Sequence, residues 1–296
     1  MSYSQFSAII AAVELGNLSR AAQSLGYTQS GITQLIDKLE SDCGYKLIVR
    51  EKKGAYLTAE GQQLMPYFRE IKSSYDSLYR QVEDMQRLET GLIRIGSFNT
   101  ISVMCLPQIL SEFRERYPGI RIEPRDGTTE ELRTWLLNGD IDLTFDCPSP
   151  DYPLPYYDLG FEEMLAIMPI GHPLQKKKKV TADDLMSYPF IKLNEGSINQ
   201  VPEISEIFDE YHITPDVAYS ESNDFAVINM VQHGLGISVL PQMILNDVKD
   251  KVSVRPLAFP ARRHIVLAVK NKNLLTKSIL NFADFTREWM SRIMSD

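Results

Sequence analysis

No apolar run in this sequence approaches the ~18 residues that a membrane-spanning helix needs, and no signal peptide precedes the first amphipathic stretch. A cytoplasmic location is therefore expected. The three cysteines, Cys43, Cys105 and Cys147, are odd in number and far apart. They fit reduced thiols better than a disulfide framework. Four histidines, His172, His212, His233 and His264, are too dispersed for a metal site. Gly-Leu-Gly at 234–236 precedes a strand pattern instead of following one, so it reads as a helix stop and not as a dinucleotide loop. No enzyme signature, cofactor or metal is expected. A basic balance is missing too: the formal net charge is -8, which by itself argues against a nucleic-acid partner.

The distribution of charge softens that objection. Up to Met65 six cations balance six anions, and the acidity lies downstream. Between Lys46 and Lys53 there are four cations and one anion, a locally positive stretch. The run Lys176 to Lys179 reads as a solvated loop. With 296 residues, 44% of them hydrophobic, the chain suits two or three domains with proper cores.

The chemistry concentrates in Asn17 to Glu40. Apolar residues fall at Leu18, Ala21, Ala22 and Leu25, stop at Gly26-Tyr27, and resume at Ile32, Ile36 and Leu39. This predicts two short helices joined by a tight glycine turn, the first capped by Ser19 and the second by Thr28. Burial of Ile32, Ile36 and Leu39 leaves Gln29, Ser30, Thr33 and Gln34 on the opposite face, with side chains suited to base edges in a major groove. A first helix, Ser4 to Leu15, supplies Phe6, Ile9, Ile10 and Val13 as backing. After Gly44, two strand-like segments flank Arg50, Lys52, Lys53 and Gly54, and Thr58 opens a new helix. A hairpin with a cationic tip behind two capped helices is a winged helix-turn-helix, its tip placed to meet phosphates.

Phe6, Ala21-Ala22, Leu25, Gln29-Ser30, Ile32, Ile36, Leu39-Glu40, Gly44, Leu47, Arg50, Gly54, Leu57-Thr58 and Gly61 resemble the N-terminal signature of LysR-type transcriptional regulators. The resemblance implies that Gln29 to Gln34, with Lys38, enter an operator groove and that Arg50 to Lys53 form the wing. Double-stranded operator DNA, a small-molecule effector, a second copy of the chain and RNA polymerase are the partners it implies. The chain departs from the pattern at Gln34 and Asp37, where basic residues are common in the family, and at Gly31, which costs ~1 kcal/mol against Ala in a helix. A carboxylate at Asp37 is unfavourable near phosphates unless Lys38 or the helix end offsets it.

From Ala59 a longer helix is expected. Leu64, Phe68, Ile71, Tyr75, Leu78, Val82 and Met85 alternate at spacings of four and three, a coiled-coil seam. Phe68 to Met85 are the candidate dimerisation residues. From Gly91 onward strand and helix patterns alternate, as in a mostly parallel sheet with helices on its faces. The fold class expected is multidomain α/β: a winged helix-turn-helix over 1–58, a linker helix over 59–92, and a two-lobed domain over 93–296. The lobes are placed at 93–163 with 266–296, and at 164–265. They resemble the effector-binding half of the same regulators, of periplasmic-binding-protein type.

Ligands of such sheets sit at the carboxyl ends of strands. The candidate effector residues are Ser97, Thr100, Ile101, Ser102, Thr128, Cys147, Ser197 and Asn223. Helix capping accounts equally well for Thr128, which forms a capping box with Glu131, and for Asn223. Cys147 fits a small apolar filler better than a reactive thiol. Helix N-termini favour anions, so a carboxylate-bearing effector is expected. The competing reading is a two-lobed solute-binding protein or enzyme whose N-terminal helices serve only oligomerisation. A basic wing and the lack of an export signal speak against it.

Overall fold

The computed structural model describes residues 1–51, 54–86, 91–194, 202–246, 248 and 250–294. Two compact units emerge: Met1–Leu88 with Leu137–Asp140, and Glu89–Leu136 with Ile141–Asp296.

The first unit begins with α1 (Tyr3–Glu14), α2 (Leu18–Leu25) and α3 (Gln29–Cys43). Phe6, Ile9, Ala21, Ile32, Ile36 and Leu39 are buried in one core, as the apolar spacing requires. Gly26 closes α2 at φ +71, a left-handed conformation that glycine adopts without penalty. Thr28 Oγ1 accepts the Gly31 amide and caps α3. The α2 cap is Asn17 and not Ser19: Asn17 Oδ1 accepts the Ser19 and Arg20 amides at 2.8 and 3.1 Å. Ser19 is the second residue of the helix, two positions past the cap, and its own amide is one of the two that Asn17 takes.

Strands β1 (Ile48–Glu51) and β2 (Gly54–Leu57) pair antiparallel, with Arg50 opposite Ala55. Glu40 fastens this hairpin to α3. It is buried, and its carboxylate accepts the Leu47 and Ile48 amides at 2.8 and 3.2 Å. Helix α4 (Ala59–Gln86) follows, with Thr58 capping it through the Gly61 amide. A Cβ at Gly61 would lie 2.1 Å from the Leu47 carbonyl oxygen, so only glycine lets α4 pass the hairpin this closely.

The second unit contains β3 (Gly91–Ser97), α5 (Asn99–Met104), α6 (Leu106–Arg116), β4 (Ile120–Asp126), α7 (Thr129–Asn138), β5 (Leu143–Asp146) and the long β6 (Tyr156–Met168). Then come α8 (Ala182–Met186), β7 (Phe190–Leu193), α9 (Pro202–Glu210), β8 (Val217–Glu221), α10 (Asp224–Gln232), β9 (Ser238–Pro241), α11 (Gln242–Leu245), β10 (Ser253–Pro256), β11 (Arg262–Val269) and α12 (Lys277–Met294). Parallel pairs β3–β4, β3–β5 and β7–β8 carry the alternating pattern; β6 and β11 run antiparallel to their neighbours.

Strand β6 carries the chain from one lobe into the other. The first part of β6 pairs with β11, and its last residues pair with β9 and β10. Ile93, Ile95, Phe113, Phe145 and Phe282 fill one core, while Met164, Ile191, Val227 and Leu240 fill the other. The return crossing lies between Ala261, which packs in the second core, and Ile265, which packs in the first, just ahead of the expected boundary near 266.

Candidate DNA interface and effector cleft

On α3, Ile32, Ile36 and Leu39 are fully buried, so the opposite face must point outward. Gln29, Ser30, Gln34 and Lys38 are exposed and Thr33 is half-buried. The N-terminal end of this face is fixed. Ser19 Oγ donates to Gln29 Oε1 at 3.0 Å, and the Thr28 and Ser30 hydroxyls are 3.0 Å apart.

Arg50 does not stand ready for phosphate. Its guanidinium lies 2.7 Å from Asp37 Oδ1, an ion pair that links the hairpin to α3. The unfavourable carboxylate at Asp37 is thus offset by Arg50, not by Lys38 or the helix end. Lys52 and Lys53 lie outside the described residues.

The proposed seam on α4 divides. Ile71, Tyr75, Leu78 and Val82 are all 40% or more exposed. Phe68 is a correction: it is buried in the helical core and stacks on Phe6 with ring centroids 5.3 Å apart. Its heptad position is satisfied within the chain, so it has no face to offer a partner. Tyr75 stacks on Tyr3 at 4.5 Å and keeps part of its ring outward. Met85 lies on α4, with its side chain outside the described residues.

Between the lobes of the second unit is a cavity of about 390 Å³. Of the expected residues, Thr100, Thr128 and Asn223 line it. Ser97 and Ser102 do not: they bond each other at 2.6 Å, and Ser102 Oγ also donates to Asp126 Oδ1 at 2.7 Å. Ile101 is fully buried in the first core, because the helical turn after Phe98 points it inward. Cys147 belongs to the same core, its carbonyl accepting from Arg133. Ser197 lies outside the described residues.

The wall includes residues that pattern reading missed. Asp224 is only 4% exposed; its Oδ2 accepts from Asn99 Nδ2 at 3.1 Å and from Thr100 Oγ1 at 3.2 Å. Burial pushes its carboxyl above the usual range, an effect that Arg263 opposes. Arg263 is equally buried, and its Nε donates to Glu162 Oε2 at 2.7 Å. Glu131 accepts the Thr128 amide and hydroxyl, each at 2.9 Å, and these bonds hold its carboxyl below the usual range. The Phe225 and Ala226 amides at the start of α10 are taken by Asn223 Oδ1.

Family models match nearly the whole chain. Residues 3–62 match the bacterial regulatory helix-turn-helix of the lysR family, and residues 86–291 match the LysR substrate binding domain. The chain belongs to the LysR family. It is a DNA-binding transcriptional regulator with a two-lobed α/β substrate-binding domain. Among relatives of this LysR-family chain, the uncharacterized regulator YvbU of Bacillus subtilis is 28% identical over 289 residues, covering 96% of this chain and 98% of YvbU. The crystal structure of HinK from Pseudomonas aeruginosa, a LysR family transcriptional regulator, is 28% identical with a TM-score of 0.62, over 98% of each chain. Full-length CbnR in complex with its target DNA shares the fold at 21% identity and a TM-score of 0.66, over 97% of this chain and 99% of CbnR.

At the start of α7 the Thr128 and Glu131 amides, and at the start of α10 the Phe225 and Ala226 amides, are taken by the chain's own side chains, whereas α5, whose Asn99 and Thr100 also line the cleft, has no side-chain cap. Among the described lining residues, carboxylates outnumber cations.

Proposed function

We propose that two copies of this regulator, joined through Ile71, Tyr75, Leu78, Val82 and Met85 of α4, bind an operator with two half-sites. In each copy Gln29, Ser30, Thr33, Gln34 and Lys38 face base edges, while Lys52 and Lys53 meet phosphates and Arg50 reaches one only in competition with Asp37. The second half-site is engaged at high effective concentration, which compensates for a modest single contact. On this reading 1–58 is the DNA-binding domain, 59–92 the dimerisation helix and 93–296 the effector domain of a cytoplasmic protein. A small molecule bound in the interlobe cleft, beside Thr100, Thr128 and Asn223, shifts lobe closure and with it the spacing of the paired domains and the approach of RNA polymerase. The charge of the lining speaks against a carboxylate-bearing effector. No catalytic step is part of this function.

The observation that carries the reading is the face of α3 opposite Ile32, Ile36 and Leu39: polar, outward, and capped by Thr28. The structure of CbnR with its target DNA supports it by likeness of fold. Thr33→Ala and Gln34→Ala should lower specific binding in a gel shift while circular dichroism stays unchanged. Unaltered discrimination between operator and random DNA would reject the assignment.

A further inference from the structure

A single carboxylate oxygen ties the two lobes of the second unit together. Helix α5 belongs to the first lobe, with Phe98 and Ile101 in its core, and α10 belongs to the second, through Val227 and Ile228. Asp224, the first residue of α10, reaches across: its Oδ2 accepts from both Asn99 Nδ2 and Thr100 Oγ1, the first two residues of α5. Asp224 and Thr100 are both buried, which keeps water from competing for these bonds. A hydroxyl has one proton to donate, and that of Thr100 is committed to the other lobe. The far end of α5 meets the second lobe as well. Cys105 packs in the first core with its thiol against the thioether of Met243 on α11, whose Ile244 and Leu245 fill the second core. The Met243 amide in turn donates to Glu162 at 2.6 Å.

We propose that Asp224 is a clasp: by holding Asn99 and Thr100 it keeps the lobes closed without help from a ligand and sets how readily the cleft opens. Clasp and pivot are separate. Strands β6 and β11 carry the backbone between the lobes and pair side by side, with Arg263 opposite Glu162, so the lobes stay connected there whatever the cleft does. Helices α5 and α10 are remote in sequence, and side chains hold them together. The two bonds share one acceptor and lie at 3.1 and 3.2 Å, near the long end of the hydrogen-bond range, so a further separation of about 0.5 Å ends both at once. Such a contact releases in one step and gives the cleft two discrete states, as switching elements require. An amide oxygen would accept the same two bonds, so the clasp depends on the acceptor and survives Asp224→Asn. It needs only the two lobes, so it stands or falls apart from the effector reading.

The test is the interlobe distance in the purified full-length protein without added ligand, read by pulsed electron–electron resonance between two spin labels. The labels sit at Glu130→Cys on α7 and Asp209→Cys on α9, both exposed, with Cys43→Ser removing the half-buried native thiol. Dilution with excess unlabelled protein leaves one labelled chain in each assembly. The parent should give one short distance. Asp224→Ala should shift the distribution to longer distance, and so should Asn99→Ala combined with Thr100→Val, which removes both donors from the opposite side. Asp224→Asn should match the parent. Circular dichroism checks the fold, and if Asp224→Ala does not fold, the donor-side variant decides. A parent already spread over long distances, a distribution unmoved by loss of the donors, or an opening in Asp224→Asn as large as in Asp224→Ala overturns the clasp. A lowered melting temperature with an unmoved distance assigns Asp224 to fold stability alone and overturns it too.

Discussion

Asp37 and Arg50 sit thirteen positions apart in sequence and 2.7 Å apart in the fold, and that pairing decides how much charge the wing offers DNA. Both side chains are at least a third exposed, so the pair adds at most about 1 kcal/mol to stability. Its larger effect is on binding, because a phosphate must compete with Asp37 for the guanidinium. Asp37→Asn should leave the melting temperature nearly unchanged, tighten DNA binding several-fold at low salt, and steepen the salt dependence by about 0.9 in log–log slope, one added phosphate contact. An unchanged slope in salt-series fluorescence anisotropy would show that Arg50 makes no phosphate contact. Sequence alone exposed the liability of an acid at position 37 but not its remedy, since nothing in one strand of text says which cation the hairpin brings back to α3.

Asp224 is legible in the same partial way. Its neighbour Asn223 was a candidate in the sequence, but the burial of Asp224 and its bonds to Asn99 and Thr100 are properties of packing. The sign of its effect follows from linkage. A carboxyl raised in the folded state binds more protons folded than unfolded, so stability falls as pH rises from the usual carboxylate range up through the raised folded value, and stays low above that. Asp224→Asn keeps a carbonyl acceptor for Asn99 and Thr100 and removes the buried charge. The ligand-free variant should melt higher than the parent near neutral pH, with the gap closing as acid protonates Asp224. A lower melting temperature at neutral pH would mean that the carboxylate is satisfied by a partner.

Among elements, α4 shows how one heptad pattern serves two purposes. Spacing identified the helix and its stripe, because apolar positions four and three apart are visible in any sequence. It did not show that Phe68 ends in its own domain's core, stacked on Phe6, while Leu78 remains 59% exposed. Phe68→Ala should therefore cost about 3–5 kcal/mol of N-terminal domain stability by denaturant titration. Leu78→Asp should keep the helical circular dichroism and convert the protein to a monomer in light scattering; a dimer surviving that charge would exclude this stripe as the interface. The capping of α2 by Asn17 was misread for a local reason. Asn and Ser both cap well, and only the backbone conformation shows which residue lies just outside the helix.

For the whole molecule, the alternation of strands and helices in the second half made the two-lobed class readable, since parallel strands require crossovers. Short elements escaped notice: α5 and α11 span only a turn or so, and β10 is four residues ending in proline. The shared strand β6 couples the lobes through a single continuous backbone, which gives a cleft ligand a direct mechanical handle on their closure. On this reading, paired copies of the chain read bases through α3. DNase footprinting of the purified full-length protein on DNA flanking its own coding region tests it most directly. Two protected half-sites separated by one helical turn, about 10 base pairs, or a multiple of it, are expected; uniform digestion, or a single isolated protected site, would rule out paired reading through α3.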